Sequence, residues 1–170
     1  MPLDLPILDK VYALWDGLAD FDAVNIQASR TYLLEQLSTL VDAQNADWIG
    51  CVRLSWSQAE DPMKGWRPRT LFTLAPCANT SQVIDEAFQE MEKGQPDITT
   101  IRNVELAGSY RVLLLNELAN PDWFAGPSYQ RYYKALDRQD SIWAGIPVSA
   151  DAEVQIGFHR SFDKPPFSGE

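Results

Sequence analysis

The residues of this chain best equipped for acid–base or nucleophilic work are one histidine, His159, and two cysteines, Cys51 and Cys77. His159 lies in "VQIGFHRS". It could serve as a general base or as a polar group in a pocket. No serine or cysteine nucleophile motif frames it, and one histidine cannot build a histidine-rich metal site. A structural strand histidine is the favoured reading. Cys51 stands beside Arg53, whose cation could lower the thiol pKa, but a buried cysteine more commonly behaves as a small hydrophobe. Cys77, in "APCANT", precedes a helix start, where the dipole favours a thiolate; it reads as a surface thiol. Asp85 with Glu86, and Glu90 with Glu92, fall on the polar side of a helix and read as solvated surface. The phosphate-loop, dinucleotide, nucleophile-elbow and zinc-protease signatures are missing from the sequence. The expectation is no catalytic residue, no metal site, no cofactor and no enzyme activity.

The aromatics carry more information. Six tryptophans are present, and "NPDWFAGPSYQRYYKALDRQDSIWAG" interleaves Trp123, Tyr129, Tyr132, Tyr133 and Trp143 with Arg131, Lys134 and Arg138. Aromatics beside cations can mark a nucleic-acid surface. A net charge of −10 argues against gripping phosphates, which depends on Lys and Arg displacing counterions. Core packing is the default for such residues. Yet Trp48, Trp56, Trp66, Trp123 and Trp143 supply many polar-tipped rings, and ligand pockets are mostly apolar with a few placed polar groups. The candidate ligand-binding residues are Trp48, Arg53, Trp123, Tyr129, Tyr133, Trp143 and His159. The start "MPLDLPILDK" has no basic lead or apolar run of a signal peptide. No segment approaches the roughly 18 apolar residues of a membrane span. A cytoplasmic location with reduced thiols and no membrane contact is expected.

Periodicity sets out the elements that must position these groups. Leu5, Leu8, Tyr12, Trp15 and Leu18 share one helical face, and Ile26, Arg30, Leu33, Leu37 and Leu40 another, predicting helices over 5–19 and 23–44. "DWIGCVRLSW" alternates as a strand through Trp56, and "RTLFTLA" is its hairpin partner across the loop 57–68. A helix follows from Asn79 or Thr80 to Gly94, then a short one capped by Asp97. "YRVLLLNEL" reads as a strand. Asn120 and Pro121 open a helix running through Leu136. "SIWAGIPVS" and "EVQIGFHRSF" form a hairpin around "SADA". The sum is an α+β fold, with an antiparallel sheet of five or six strands flanked by helices. At 170 residues one domain is expected.

Trp123, "YQRYY" at Tyr129 to Tyr133, "IPVSADAE" at Ile146 to Glu153 and the closing "PPFSGE" resemble the end of the N-terminal GAF-like sensor domain of LuxR-type helix-turn-helix transcriptional regulators. The close resemblance covers about the last third of the chain. It implies a GAF/PAS-like sensor domain over 1–166. It also implies that 167–170 begin a helix or linker toward a C-terminal DNA-binding domain lying outside this chain. This chain would then be the regulatory half, without direct nucleic-acid contact. It would take a small-molecule ligand of unspecified identity and pair as a homodimer through helices 5–19 and 23–44. Two alternatives stay open. One is an autoinducer-binding domain for an acyl-homoserine lactone, whose Trp/Tyr/Asp set Trp123, Tyr129, Tyr133 and Asp137 resemble with a different spacing. The other is a ligand-free interaction module with a filled core.

Overall fold

The computed structural model describes residues 5–55 and 60–168. Trp56, read above as the end of the first strand, lies outside the described residues. Two units are present, one up to Asp42 and one from Ala43.

The first unit is a helix pair, α1 (Leu5–Ala19) and α2 (Ile26–Val41). Gly17 backs onto Tyr32, where a Cβ would collide with the phenol ring. Phe21 packs on the same ring at 5.5 Å. α2 is shorter than the span 23–44 because Asp42 turns left-handed (φ 52°, ψ 47°), with its N–H bonded back to Ser38 and Thr39 carbonyls. Tyr12 and Trp15 on α1 are 64% and 68% exposed.

The second unit runs β1 (Asn45–Arg53), β2 (Trp66–Thr73), α3 (Thr80–Glu92), α4 (Ile98–Glu105), β3 (Arg111–Leu114), α5 (Leu115–Leu118), α6 (Pro127–Tyr132), β4 (Asp140–Ser149) and β5 (Ala152–Arg160). The strands form one sheet in the order β2-β1-β5-β4-β3, every pairing antiparallel. The α+β architecture and both hairpins are as the alternation predicts, with five strands among the described residues.

Two elements differ from expectation, each for a local reason. "RVLLLNEL" does not stay a strand, because the Glu117 carboxylate accepts the Leu114 N–H at 2.7 Å and starts α5 there. The helix opened by Asn120, whose Oδ1 accepts the Trp123 N–H at 3.0 Å, does not run on to Leu136. A 3-10 turn ends at Ala125, Gly126 is extended, Pro127 restarts the helix as α6, and a second 3-10 turn, Lys134–Leu136, stops at left-handed Asp137 (φ 54°). Phe167 and Ser168 are not helical, and Gly169 and Glu170 lie outside the described residues.

Register decides what one sheet face carries. Asp47 stands opposite Thr73 on one side and Gly157 on the other, and Ile49 opposite Leu71 and Gln155. Ser141 faces His159, and Trp143 faces Gly157. Since side chains alternate along a strand, these residues share one face. A Cβ at Gly157 would sit 2.6 Å from the Trp143 ring, so glycine lets that indole lie across β5.

Candidate functional site

Between this face and the helices lies a gap of two lobes, about 90 Å³ and about 130 Å³. Both lobes are walled by Ile49, Phe88, Met91, Thr99, Tyr133 and Trp143, so they lie side by side. The amphipathic stripe of α3 turns Phe88 and Met91 inward; the sheet supplies Ile49 and Trp143. The walls are apolar and aromatic with polar groups at the margins, the composition of a small-molecule site.

Asp97 is one of the residues that wall the larger lobe. As the N-cap of α4 it accepts the Thr99 N–H at 2.9 Å and the Thr99 hydroxyl at 2.7 Å. Its two oxygens also take the Trp123 indole N–H, at 3.1 and 2.9 Å. Burial pushes this carboxyl up, but the donors from Trp123, Thr99 and Ser128 outweigh it and hold it below the usual carboxylate range. Trp123 is the centre of an aromatic cluster, with Phe124 and Tyr133 edge-on at 5.3 and 5.2 Å and Tyr129 tilted at 5.5 Å. Trp123→Phe would keep the packing but remove the indole donor. The expected cost is about 1–3 kcal/mol in urea unfolding; a change below about 0.5 kcal/mol, ordinary for surface substitutions, would show that the Asp97 bond carries nothing.

Deeper, Asp47 binds Arg138 Nη2 at 2.8 Å and His159 Nε2 at 3.1 Å through Oδ2, and accepts the Thr73 hydroxyl at 2.7 Å. His159 Nδ1 meets Ser141 Oγ at 2.7 Å. Burial first, then Arg138, lowers the His159 pKa to about 4, so the imidazole is neutral near pH 7. Burial alone would raise Asp47, but its neighbours hold it well below the usual range. With His159 neutral, Arg138 is the cation that keeps Asp47 ionised. An ionised Asp47 only accepts, so the proton sits on His159 Nε2 and Ser141 donates to Nδ1. The trio has the residue types of a hydrolase triad, yet Ser141 and His159 are 0% and 1% exposed, closed to substrate. Elsewhere on the sheet Arg111 forks onto Glu153 at 2.7 and 3.0 Å and donates from Nε to Asn103 at 2.7 Å. A Cβ at Gly145 would strike that guanidinium.

Of the predicted site residues, Trp123, Tyr133 and Trp143 meet at the gap. Tyr129 stands behind them, its hydroxyl donating to the Gln139 carbonyl at 2.8 Å. His159 lies beneath the gap, edge-on to Trp143 at 5.5 Å. Two residues fall elsewhere. Trp48 alternates to the opposite sheet face from Asp47 and Ile49, and Arg53 is exposed at the end of β1. Asp137 is exposed as well. The carboxylate bonded to Trp123 is Asp97, which sequence reading took only as a cap. Asp47, Arg138 and Phe88 were also missed as site residues. The Cys51 thiol is pushed up to about 12, by burial first and Glu153 second, and packs with Met63, Trp66 and Val104 as the hydrophobe expected. Glu90 is not plain solvated surface: it binds the Tyr132 hydroxyl and Arg131.

No protein-family model matches this chain, and no curated protein matches its sequence. Solved structures do. The LBD domain of VqsR from Pseudomonas aeruginosa superposes with a TM-score of 0.53 at 11% identity, over 92% of this chain and 81% of that one. SdiA, solved in complex with octanoyl-rac-glycerol, superposes with a TM-score of 0.64 at 15% identity, over 99% of this chain. This chain thus spans 60% of the SdiA chain. At these identities the shared property is the fold: a five-stranded antiparallel sheet with its helices, in the arrangement of these domains.

Proposed function

We propose that this chain is the ligand-sensing regulatory domain of a LuxR-type transcriptional regulator, and that a small amphipathic molecule binds between the sheet and α3, α4 and α6. The observation that carries this reading is the aromatic-walled gap with the Asp97 carboxylate in its wall. A filled interior would have favoured the interaction module instead. The two structural neighbours are LuxR-type ligand-binding domains, which supports the same reading. An acyl-homoserine lactone is an alternative occupant: its acyl chain suits the apolar walls and its amide N–H suits the Asp97 carboxylate.

The regulatory output would be a population shift in an attached DNA-binding domain. One feature supports a link to the end of the chain. The Phe167 N–H binds Asp140 Oδ2 at 2.8 Å, and its ring lies 4.1 Å from the Arg160 guanidinium. Asp140 is two residues from Arg138, so the exit segment is held beside the residue that walls the gap. The GAF-like label for this unit, a cytoplasmic location and homodimerisation belong to the same proposal. Exposed Tyr12 and Trp15 support pairing through α1 and α2; a strict monomer by light scattering at high concentration would remove that part.

Titration with 1-octanoyl-rac-glycerol tests the binding reading. Trp66, Trp123 and Trp143 wall the gap, so saturable change in tryptophan fluorescence is expected, with added stability of about 2.7 kcal/mol at a hundred times Kd. Fluorescence and melting temperature that ignore both this probe and an acyl-homoserine lactone would reject it.

A further inference from the structure

α3 contributes Val83, Ile84, Ala87, Phe88 and Met91 to the walls of the gap. Of these only Val83 is buried; the others are half-buried. Part of their apolar surface is therefore unpacked, and polar pairs on the two flanks of α3 complete its hold. On the β2 flank the Glu92 carboxylate meets Arg69 Nη1 at 2.6 Å and Arg67 Nε at 3.7 Å. On the α6 flank Arg131 meets Glu90 at 3.0 Å and Glu86 at 3.5 Å. The β2 flank has one feature more. A groove of about 500 Å³ runs outside it, walled by Pro68, Arg69, Phe88 and Glu92 among others. Pro68 and Phe88 also wall the smaller lobe, and Phe88 the larger one. The Phe88 ring thus stands between the outer groove and both lobes, while Glu92 walls the groove and neither lobe. β2 is the outermost strand of the sheet, so no strand ladder closes the seam between it and α3.

We propose that the ligand reaches the gap through the seam between β2 and α3, past Phe88, and that Glu92 with Arg67 and Arg69 forms the latch across that seam. This rests on the gap being a ligand site. A latch outside the site slows entry and exit alike, because both cross the same barrier, and it leaves affinity unchanged.

Stopped-flow tryptophan fluorescence with 1-octanoyl-rac-glycerol tests it on the native chain, Glu92→Gln and Arg131→Gln. Glu92→Gln should raise the association and dissociation rates together by about two- to fivefold, the scale of one exposed ion pair, with Kd moving less than about twofold. Arg131→Gln, on the other flank, should leave both rates as they are. Raising sodium chloride from roughly 0.05 to 0.5 M should speed exchange in the native chain more than in Glu92→Gln, since salt screens the pair and the probe is uncharged. Faster exchange in Arg131→Gln but not in Glu92→Gln places the entrance on the α6 flank and overturns the assignment. Rates unchanged in both variants, or raised equally in both, overturn it as well: the β2 seam then does not limit exchange, or α3 opens as a whole. In each of these cases the probe still binds, and the gap stays a ligand site. No saturable signal from this probe or from an acyl-homoserine lactone removes the gap reading and this inference together.

Discussion

Replacing Arg111 with methionine is expected to destabilise the fold by about 3–5 kcal/mol, the range for stripping one partner from a buried ion pair. Arg111 and Glu153 are 6% and 2% exposed, and the guanidinium meets both carboxylate oxygens. Without it Glu153 keeps only the Gly108 N–H at 3.1 Å and the Gln155 amide at 2.7 Å. Burial alone would raise this carboxyl, and Arg111 is the main group that brings it below its ordinary value. The variant should therefore unfold at lower urea with an unchanged slope. Arg111→Met combined with Glu153→Leu should recover most of the loss, since removing both charges is close to neutral. A single variant within about 1 kcal/mol of the native protein, an ordinary value for any substitution, would mean that Glu153 is not held as a buried ion.

The second large effect is on acid stability. Unfolded, His159 takes up its proton near its ordinary value of 6.5; folded, it does so near 4. Between those values the unfolded chain alone holds the proton. Stability therefore falls as pH drops below about 6.5, and this loss stops growing below about 4. The full penalty is roughly 3 kcal/mol. Asp47 acts in a separate window: its folded value is depressed, so its contribution is present above its ordinary range and lost only in stronger acid. Asp140 is raised by burial and opposes the trend weakly. Urea unfolding of the native protein and His159→Gln between pH 7.5 and 4.5 isolates the histidine. The native curve should drop more steeply than the variant's; parallel curves would show that His159 is protonated alike in both states.

The sheet was legible because its strands alternate cleanly: "DWIGCVR" and "EVQIGFHR" read as strands, and the register shows that Ile49 and His159 share one face. Helix starts marked by Asp97 and by Asn120 with Pro121 were equally readable, since capping is a local matter. What spacing could not give was the meeting of distant residues. Asp97 and Trp123 are 26 positions apart and joined through the indole N–H, shared by both carboxylate oxygens. Arg138, in the turn before β4, reaches Asp47 on β1. The double role of Asp97, helix cap and partner of Trp123, has no local signature. Trp48 was misplaced for a simpler reason: alternation gives two faces but does not say which one the gap-walling helices cover. Glu117 ended β3 early by capping a helix within a run that composition reads as strand.

The most direct measurement of the ligand-site proposal is a crystal structure of the chain grown with 1-octanoyl-rac-glycerol. The expected result is the acyl chain lying between Phe88, Met91 and Trp143, with the glyceryl end beside Asp97. Side chains closed over a filled interior, with the probe bound only on the outer surface, would contradict it.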